Sequence, residues 1–184
     1  MTVTVVPEQF TMVLFDAPTI QRCVETLLDK LDMNDHDVRV EVDETTPIAR
    51  VRTELGDPIV IRAESGALED TRHPRNLSET AVNTAIGRSL LRARDRLSGR
   101  FDDAPSDDDL TLAQVAVWDT YAAGRLSRLG YPMHVPRWLY NFRNRHGFTD
   151  QADQAFAELW TADDLSWADL SALSARAAAA TSAA

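Results

Sequence analysis

The hydrophobic pattern changes period twice in the N-terminal half of the chain, and this constrains the fold more than any other feature. Apolar residues first recur at helical spacing after Asp16, a candidate N-cap, and Pro18: Ile20, Cys23, Val24, Leu27, Leu28 and Leu31. The period then becomes two in residues 38–42 and 51–55, which predicts two half-buried strands. After a turn at 56–58, residues 59–61 predict a third, more buried strand. Helical spacing returns after Ser78, which is a second candidate N-cap.

The remainder of the chain predicts helices only. Residues 101–109 form an acidic stretch in which Ser106 and Asp109 have capping-box spacing, and this predicts a long helix that ends near Gly130. Three more helical segments are expected, around residues 137–144, from Thr149, and from Thr161 or Ser166.

Consecutive strands followed by helices predict an α+β fold. We expect an N-terminal helix, a small three-stranded antiparallel sheet and a helix in residues 1–100, and an acidic linker over 101–109. A helical part packed on the first is expected over 110–176. The alanine-rich tail 177–184 has nothing to anchor it and is expected to fray.

The order helix, three strands, helix resembles that of double-stranded RNA-binding domains and is similar to that of the small zincin-like metallopeptidases. The zincin resemblance implies His-Glu-x-x-His on the helix after the sheet, because only positions i and i+4 place two imidazoles on one face. That helix instead reads Val-Asn-Thr-Ala-Ile-Gly over residues 82–87. The resemblance therefore implies a non-catalytic relative without metal ligands, and the acidic first helix and strands oppose RNA binding.

Charge is distributed unevenly along the chain, whose formal net charge is −10. Residues 1–70 carry six basic and fifteen acidic side chains, residues 71–145 carry twelve and eight, and residues 146–184 carry one and six. All but one of the basic side chains are arginines, which bind carboxylates and phosphates bidentately and stack on aromatic rings. The central arginines either pair internally with the acidic N-terminal third or form a surface for a partner. Nucleic acid is a disfavoured partner, because phosphate contacts dominate its binding and the net charge opposes them.

Motifs for most catalytic classes are absent from the sequence. The single lysine, Lys30, lies in an amphipathic helix, so neither a P-loop nor a supported Schiff-base site is present. The single cysteine, Cys23, excludes an intramolecular disulfide. No zinc-binding spacing joins the four histidines, His36, His73, His134 and His146. We therefore expect no cofactor, no metal and no membrane segment. We also expect a cytoplasmic location, and the sequence favours a binding role over an enzymatic one.

Residues 136–148 have the most unusual local composition, with arginines interleaved among aromatic residues. This segment and the loop over residues 64–77 supply the candidate binding residues, which are Arg137, Tyr140, Arg143, Arg145, His146, Arg72 and Arg75. One interpretation is structural: Trp138, Leu139 and Phe142 form a buried stripe, and Arg137, Asn141 and Arg145 line the outer face. A second is an anion site in which Arg143, Arg145 and His146 hold a phosphate or carboxylate. A third is a partner surface, because Trp, Tyr and Arg are enriched at interface hot spots.

The leading hypothesis is a non-catalytic binding or assembly module that contacts an acidic protein partner or another subunit through this arginine and aromatic surface. The alternative is a small-molecule site, either a binding site or the active site of an enzyme, in which arginines hold a phosphate or carboxylate. A non-catalytic relative of a zincin-like scaffold is the second alternative.

Overall fold

The computed structural model describes residues 1–179 of the chain. The chain divides into two compact units, Met1–Arg94 and Asp95–Ala184, and we describe each by itself. The described residues form the strands β1 (Val3–Val6), β2 (Val38–Asp43), β3 (Val51–Glu54) and β4 (Ile59–Glu64), and the helices α1 (Ala17–Lys30), α2 (Glu79–Leu97), α3 (Leu112–Arg128), α4 (Val135–His146), α5 (Asp150–Thr161) and α6 (Trp167–Ala179). The protein is thus mixed α and β, with a helical C-terminal half.

The first unit is built on a four-stranded mixed sheet in the order β1-β2-β4-β3. β1 and β4 both run parallel to β2, and β3 runs antiparallel to β4 at the edge. The central position of β4 explains its apolar start, since Ile59 and Ile61 are at most 1% exposed. The expected three-stranded antiparallel sheet is therefore wrong in both strand number and direction.

β1 is the strand that the sequence prediction missed. Val3 and Val5 are buried and alternate with the exposed Thr4 and Val6, and because Val6 is itself apolar the period of two is interrupted in the sequence. Its partner is β2, in register Val3↔Val38, and α1 lies between the two strands in the chain. A parallel pair requires such a crossover, which explains why the N-terminal helix precedes the first predicted strand.

α1 agrees with its prediction in cap and buried face. The Asp16 carboxylate accepts a hydrogen bond from the Thr19 amide at 2.9 Å, and Pro18 lies in the first turn. Five apolar side chains are buried along one face, namely Ile20, Cys23, Val24, Leu27 and Leu28. Cys23 is a free cysteine of the core, and this burial raises the pKa of its thiol.

The link between β2 and β3 passes directly over the turn that follows β4. A Cβ atom on Gly66 would lie 1.9 Å from the Pro47 carbonyl oxygen, so only glycine fits there. Next to it, the buried Ser65 hydroxyl donates to the Thr46 carbonyl at 3.0 Å. This close approach joins the link to the turn after β4, the strand that lies between β2 and β3.

The second unit begins in the last turn of α2 and is otherwise formed by α3 to α6. α3 begins at Leu112 with a capping box between Thr111 and Gln114, in place of the expected Ser106 and Asp109. The Ser106 hydroxyl does bond the Asp109 carboxylate, at 2.6 Å, but that contact stays within the preceding loop. α4, α5 and α6 lie where the three remaining helical segments were predicted.

A buried ion pair lies in the second unit. Asp95 and Arg125 are 6% and 5% exposed, and Arg125 donates two hydrogen bonds of 2.6 Å to the Asp95 carboxylate. The Trp118 indole N–H donates a third, at 2.7 Å, and the Arg125 guanidinium lies over the Tyr121 ring at 3.8 Å. Both oxygens of the Asp95 carboxylate therefore accept hydrogen bonds inside the unit.

The acidic stretch 101–109 is tied to the second unit at several points. Phe101 is 2% exposed and stacks on Trp118. Arg96 donates to the Ala104 and Pro105 carbonyls and forms an ion pair with Asp107 at 3.2 Å. Of the expected frayed tail, residues 177–179 belong to α6 and Ala177 is fully buried, while the rest lies outside the described residues.

Candidate functional site

α4 carries five of the seven candidate binding residues, and local signals explain where it begins and ends. The His134 ring accepts a hydrogen bond from the Arg137 amide at 3.2 Å, and Pro136 lies in the first turn. Gly147, at φ 98°, ends the helix. Arg143 and Arg145 lie in the last turn, where cations interact favourably with the helix dipole.

The helical turn of about 100° per residue distributes these residues around α4. Phe142 and His146 point inward and are 1% and 2% exposed, with Trp138 and Leu139 partly buried beside them. The outer side is exposed at Arg137, Tyr140, Asn141 and Arg145. This agrees with the buried stripe and polar outer face that the sequence predicted.

Arg143 is engaged within the protein. Its guanidinium donates to both oxygens of Asp153 on α5, with a distance of 2.7 Å between Nε and Oδ1. The hydrogen bond to Arg143 lowers the pKa of the Asp153 carboxyl, and the same bond raises the pKa of Arg143. Because both side chains remain partly exposed, at 31% and 39%, the pair lies at the surface and fixes the guanidinium there.

Tyr140 and Phe148 form an exposed aromatic pair next to Arg143. Their exposed fractions are 58% and 64%, and their ring centroids lie 6.0 Å apart in an edge-to-face arrangement. The Arg143 guanidinium lies 5.9 Å from the Phe148 ring. We define the α4 surface as Arg137, Tyr140, Arg143, Arg145 and Phe148. Phe148 is absent from the predicted site residues, although its place one residue after the helix-ending glycine was visible in the sequence.

His146 is part of the core and not of this surface. Its Nε2 lies 2.9 Å from the Ser174 hydroxyl on α6, its Nδ1 lies 3.2 Å from the Phe142 carbonyl, and its ring stacks on that of Phe142. Burial lowers the pKa of His146, which favours the neutral imidazole. We interpret the His146–Ser174 contact as a link between α4 and α6, because the imidazole is almost completely enclosed.

Arg145 and Arg143 project to different sides of α4. Two residues of separation correspond to about 200° around the helix, so the two guanidinium groups diverge. With His146 buried, the three groups of the predicted anion site are not brought together. Arg145 instead borders a groove between α3 and α4.

The groove between α3 and α4 has a volume of about 210 Å³. Its apolar lining comes from Val115 and Ala116 on α3 and from Trp138 and Phe142 on α4, with Asn141 and Arg145 among its polar residues. Sequence reasoning did not find it, because no local pattern shows which faces of α3 and α4 diverge.

Arg72 and Arg75 belong to the first unit, in the segment between β4 and α2. Their backbone amides donate to Asp70 at 2.8 Å and to Glu69 at 3.1 Å, and both side chains are exposed. Arg75 has a positive φ of 67°, and its carbonyl accepts from the Leu14 amide at 2.7 Å. These two residues are ordered by backbone bonds, and we treat them as separate from the α4 surface.

A second concave region, of about 310 Å³, lies on the outer face of the sheet. Arg50, Arg62 and Glu64 help to line it, and their charges are paired: Arg62 contacts Glu41 at 3.3 Å, and Arg50 contacts Glu64 at 3.5 Å. The parallel register places Glu41 opposite Arg62. Three acidic residues and three arginines line this region, so their charges offset each other.

Among residues 1–179, no group of three or more His, Cys, Asp or Glu side chains is placed to hold a metal ion. Within the same residues, every helix is too short or too polar to cross a bilayer. Comparisons of the chain with protein-family models, with curated proteins and with solved structures return no match.

Proposed function

We propose that this protein is a non-catalytic binding module whose α4 surface docks an acidic segment of another protein. The observation that carries the proposal is the exposed aromatic pair Tyr140 and Phe148, which lies beside Arg143 of α4. The groups of the alternative anion site, Arg143, Arg145 and His146, point in different directions, and this favours a spread-out contact over a single ligand.

Charge complementarity supports an acidic partner. The twelve residues of α4 include three arginines and no Asp or Glu, although the chain as a whole carries a net charge of −10. At physiological ionic strength the Debye length is about 8 Å, so a partner that touches α4 experiences these arginines more strongly than distant acids. A partner rich in Asp and Glu is therefore attracted at α4, although the chain as a whole is acidic.

The aromatic side chains provide the apolar part of the contact. Tyr and Arg are enriched at interface hot spots, where large side chains become desolvated on binding. The Arg143–Asp153 pair holds the guanidinium beside the Phe148 ring before a partner arrives, which reduces the entropy lost on binding.

The proposal can be tested with a library of displayed peptides rich in aspartate, glutamate and apolar residues, from which those that bind the intact protein are selected. We expect binders whose affinity falls at least about tenfold on Tyr140→Ala or on combining Arg137→Glu with Arg145→Glu. Arg176→Glu is the matched control, because Arg176 is an exposed arginine of the same unit, paired with Glu158 on α5, and lies outside the α4 surface. It should leave binding unchanged.

Two results would contradict the proposal. One is a set of binders that the charge-reversed variant retains with full affinity. The other is self-association of the wild-type protein in light scattering that Arg137→Glu abolishes, because the α4 surface would then serve a second copy of the chain.

A further inference from the structure

We infer that the groove between α3 and α4 receives one apolar side chain of the acidic segment, next to a carboxylate that Arg145 binds. This inference rests on the proposed function and names the chemistry that the partner must carry. It identifies the partner as an acidic segment with an apolar anchor, as distinct from a chain that is only negatively charged.

The lining of the groove matches such an anchor. Val115, Ala116, Trp138 and Phe142 supply apolar contacts, and the volume of about 210 Å³ is below the roughly 300 Å³ at which small-molecule pockets begin. Leu112, which is 63% exposed, adds apolar surface to the same groove. A single side chain is therefore a better occupant than a drug-sized ligand.

The polar residues of the groove specify the charge beside the anchor. Arg145 and the side-chain amides of Asn141 and Asn144 lie along the α4 side. Guanidinium and amide groups donate hydrogen bonds that a carboxylate accepts. Asp119 lines the opposite, α3 side of the groove, so the carboxylate of the segment binds at Arg145 and the two amides, on the α4 side.

Two synthetic peptides test this inference against the intact protein by NMR. One places a single leucine between glutamates, and the other has serine in place of the leucine at equal charge. Of the four tryptophans, Trp138 alone lines the groove among the described residues, whereas Trp118 and Trp167 lie in the core. We expect the leucine peptide to shift the indole N–H signal of Trp138, assigned with Trp138→Phe, and to leave that of Trp118 in place.

Substitutions within the groove provide the second measurement. Ala116→Leu fills the groove and should lower the affinity for the leucine peptide about tenfold, since the anchor loses its buried contact. Ala113→Leu is the control on the same helix, because Ala113 is equally half-buried and does not line the groove. Should Ala116→Leu prove unfolded by circular dichroism, Asn141→Leu, at an exposed position that also lines the groove, takes its place.

The outcomes separate the two ideas. If neither peptide shifts any α4 signal, the proposed function itself fails. If both peptides shift the backbone amides of Arg137 and Arg145 equally while the Trp138 indole stays fixed, acidic binding stands and the groove inference is overturned. Binding of free valerate to the groove with the affinity of the leucine peptide would also overturn it, because a small carboxylate would then be the ligand.

Discussion

Removing one member of the buried Asp95–Arg125 pair should destabilise the second unit more than any exposed substitution. In Asp95→Leu, the Arg125 guanidinium loses two hydrogen bonds and its counter-ion while it remains 5% exposed, and the Trp118 N–H loses its acceptor. Breaking a buried pair in this way costs about 3–5 kcal/mol, mainly because the remaining charge is uncompensated. A domain is stable by only about 5–15 kcal/mol, so a large fraction of the free energy of unfolding is lost.

The double variant Asp95→Leu/Arg125→Met distinguishes this reason from loss of packing. When both charges are replaced by apolar side chains of similar volume, no buried charge remains, and such replacements are often neutral or stabilising. We therefore expect the double variant to be more stable than Asp95→Leu alone. The guanidinium stack on Tyr121 is lost in the double variant, so some destabilisation relative to the wild type remains.

Urea unfolding, followed by tryptophan fluorescence and far-UV circular dichroism, measures these differences. Arg176→Ala, which breaks the exposed ion pair with Glu158, is the control and should change the free energy of unfolding by less than about 1 kcal/mol. A cost for Asp95→Leu as small as that of the control would refute the reasoning. Additive losses in the double variant would refute it as well, since they would assign the cost to packing alone.

Three further predictions concern a helix cap, a close backbone approach and a buried histidine. Thr111→Ala should destabilise by about 1 kcal/mol in urea unfolding, whereas Ser106→Ala, at the cap that the sequence suggested, should have little effect. Gly66→Ala should lower the melting temperature strongly, because the added Cβ atom would clash with the Pro47 carbonyl. Gly56→Ala is its control, since the atom nearest to an added Cβ there lies at 3.4 Å. Burial lowers the pKa of His146 in the folded state below its unfolded-state pKa of about 6.5. The contribution of the neutral His146 to the free energy of unfolding is therefore complete above about pH 6.5, and it is lost as the pH falls through the folded-state pKa. His146→Gln should flatten the dependence of the unfolding free energy on pH in this range, and a slope equal to that of the wild type would contradict the assignment.

The helices illustrate how much of the fold is predictable from local pattern. The Asp16 cap and the apolar stripe of α1 are confirmed, as are the buried and exposed faces of α4. The cap of α3 was misplaced because Ser106 and Thr111 both have suitable spacing. Only the course of the backbone decides which of two such candidates begins the helix.

The candidate site was predictable in part. The composition of residues 136–148 identified α4, and the exposed position of Tyr140 agrees with a surface role. His146, Arg143 and Arg145 are close in sequence but do not form one site, because the helical turn places them on different sides of α4. The position of Phe148 and the shape of the groove beside Arg145 depend on how neighbouring helices pack. The sequence carried no signal strong enough to select either of them.

Local sequence patterns specify the type and approximate extent of most elements, because hydrophobic period and capping chemistry act over a few residues. The tertiary structure alone decided the pairing of β1 with β2, the insertion of β4 beside β2, and the partners of Asp95 and Arg143. These contacts join residues that are far apart in the chain, and a local pattern records which face of an element is buried but not what lies opposite. For the same reason the arginines were visible from composition, while their division into buried, paired and exposed groups required the fold.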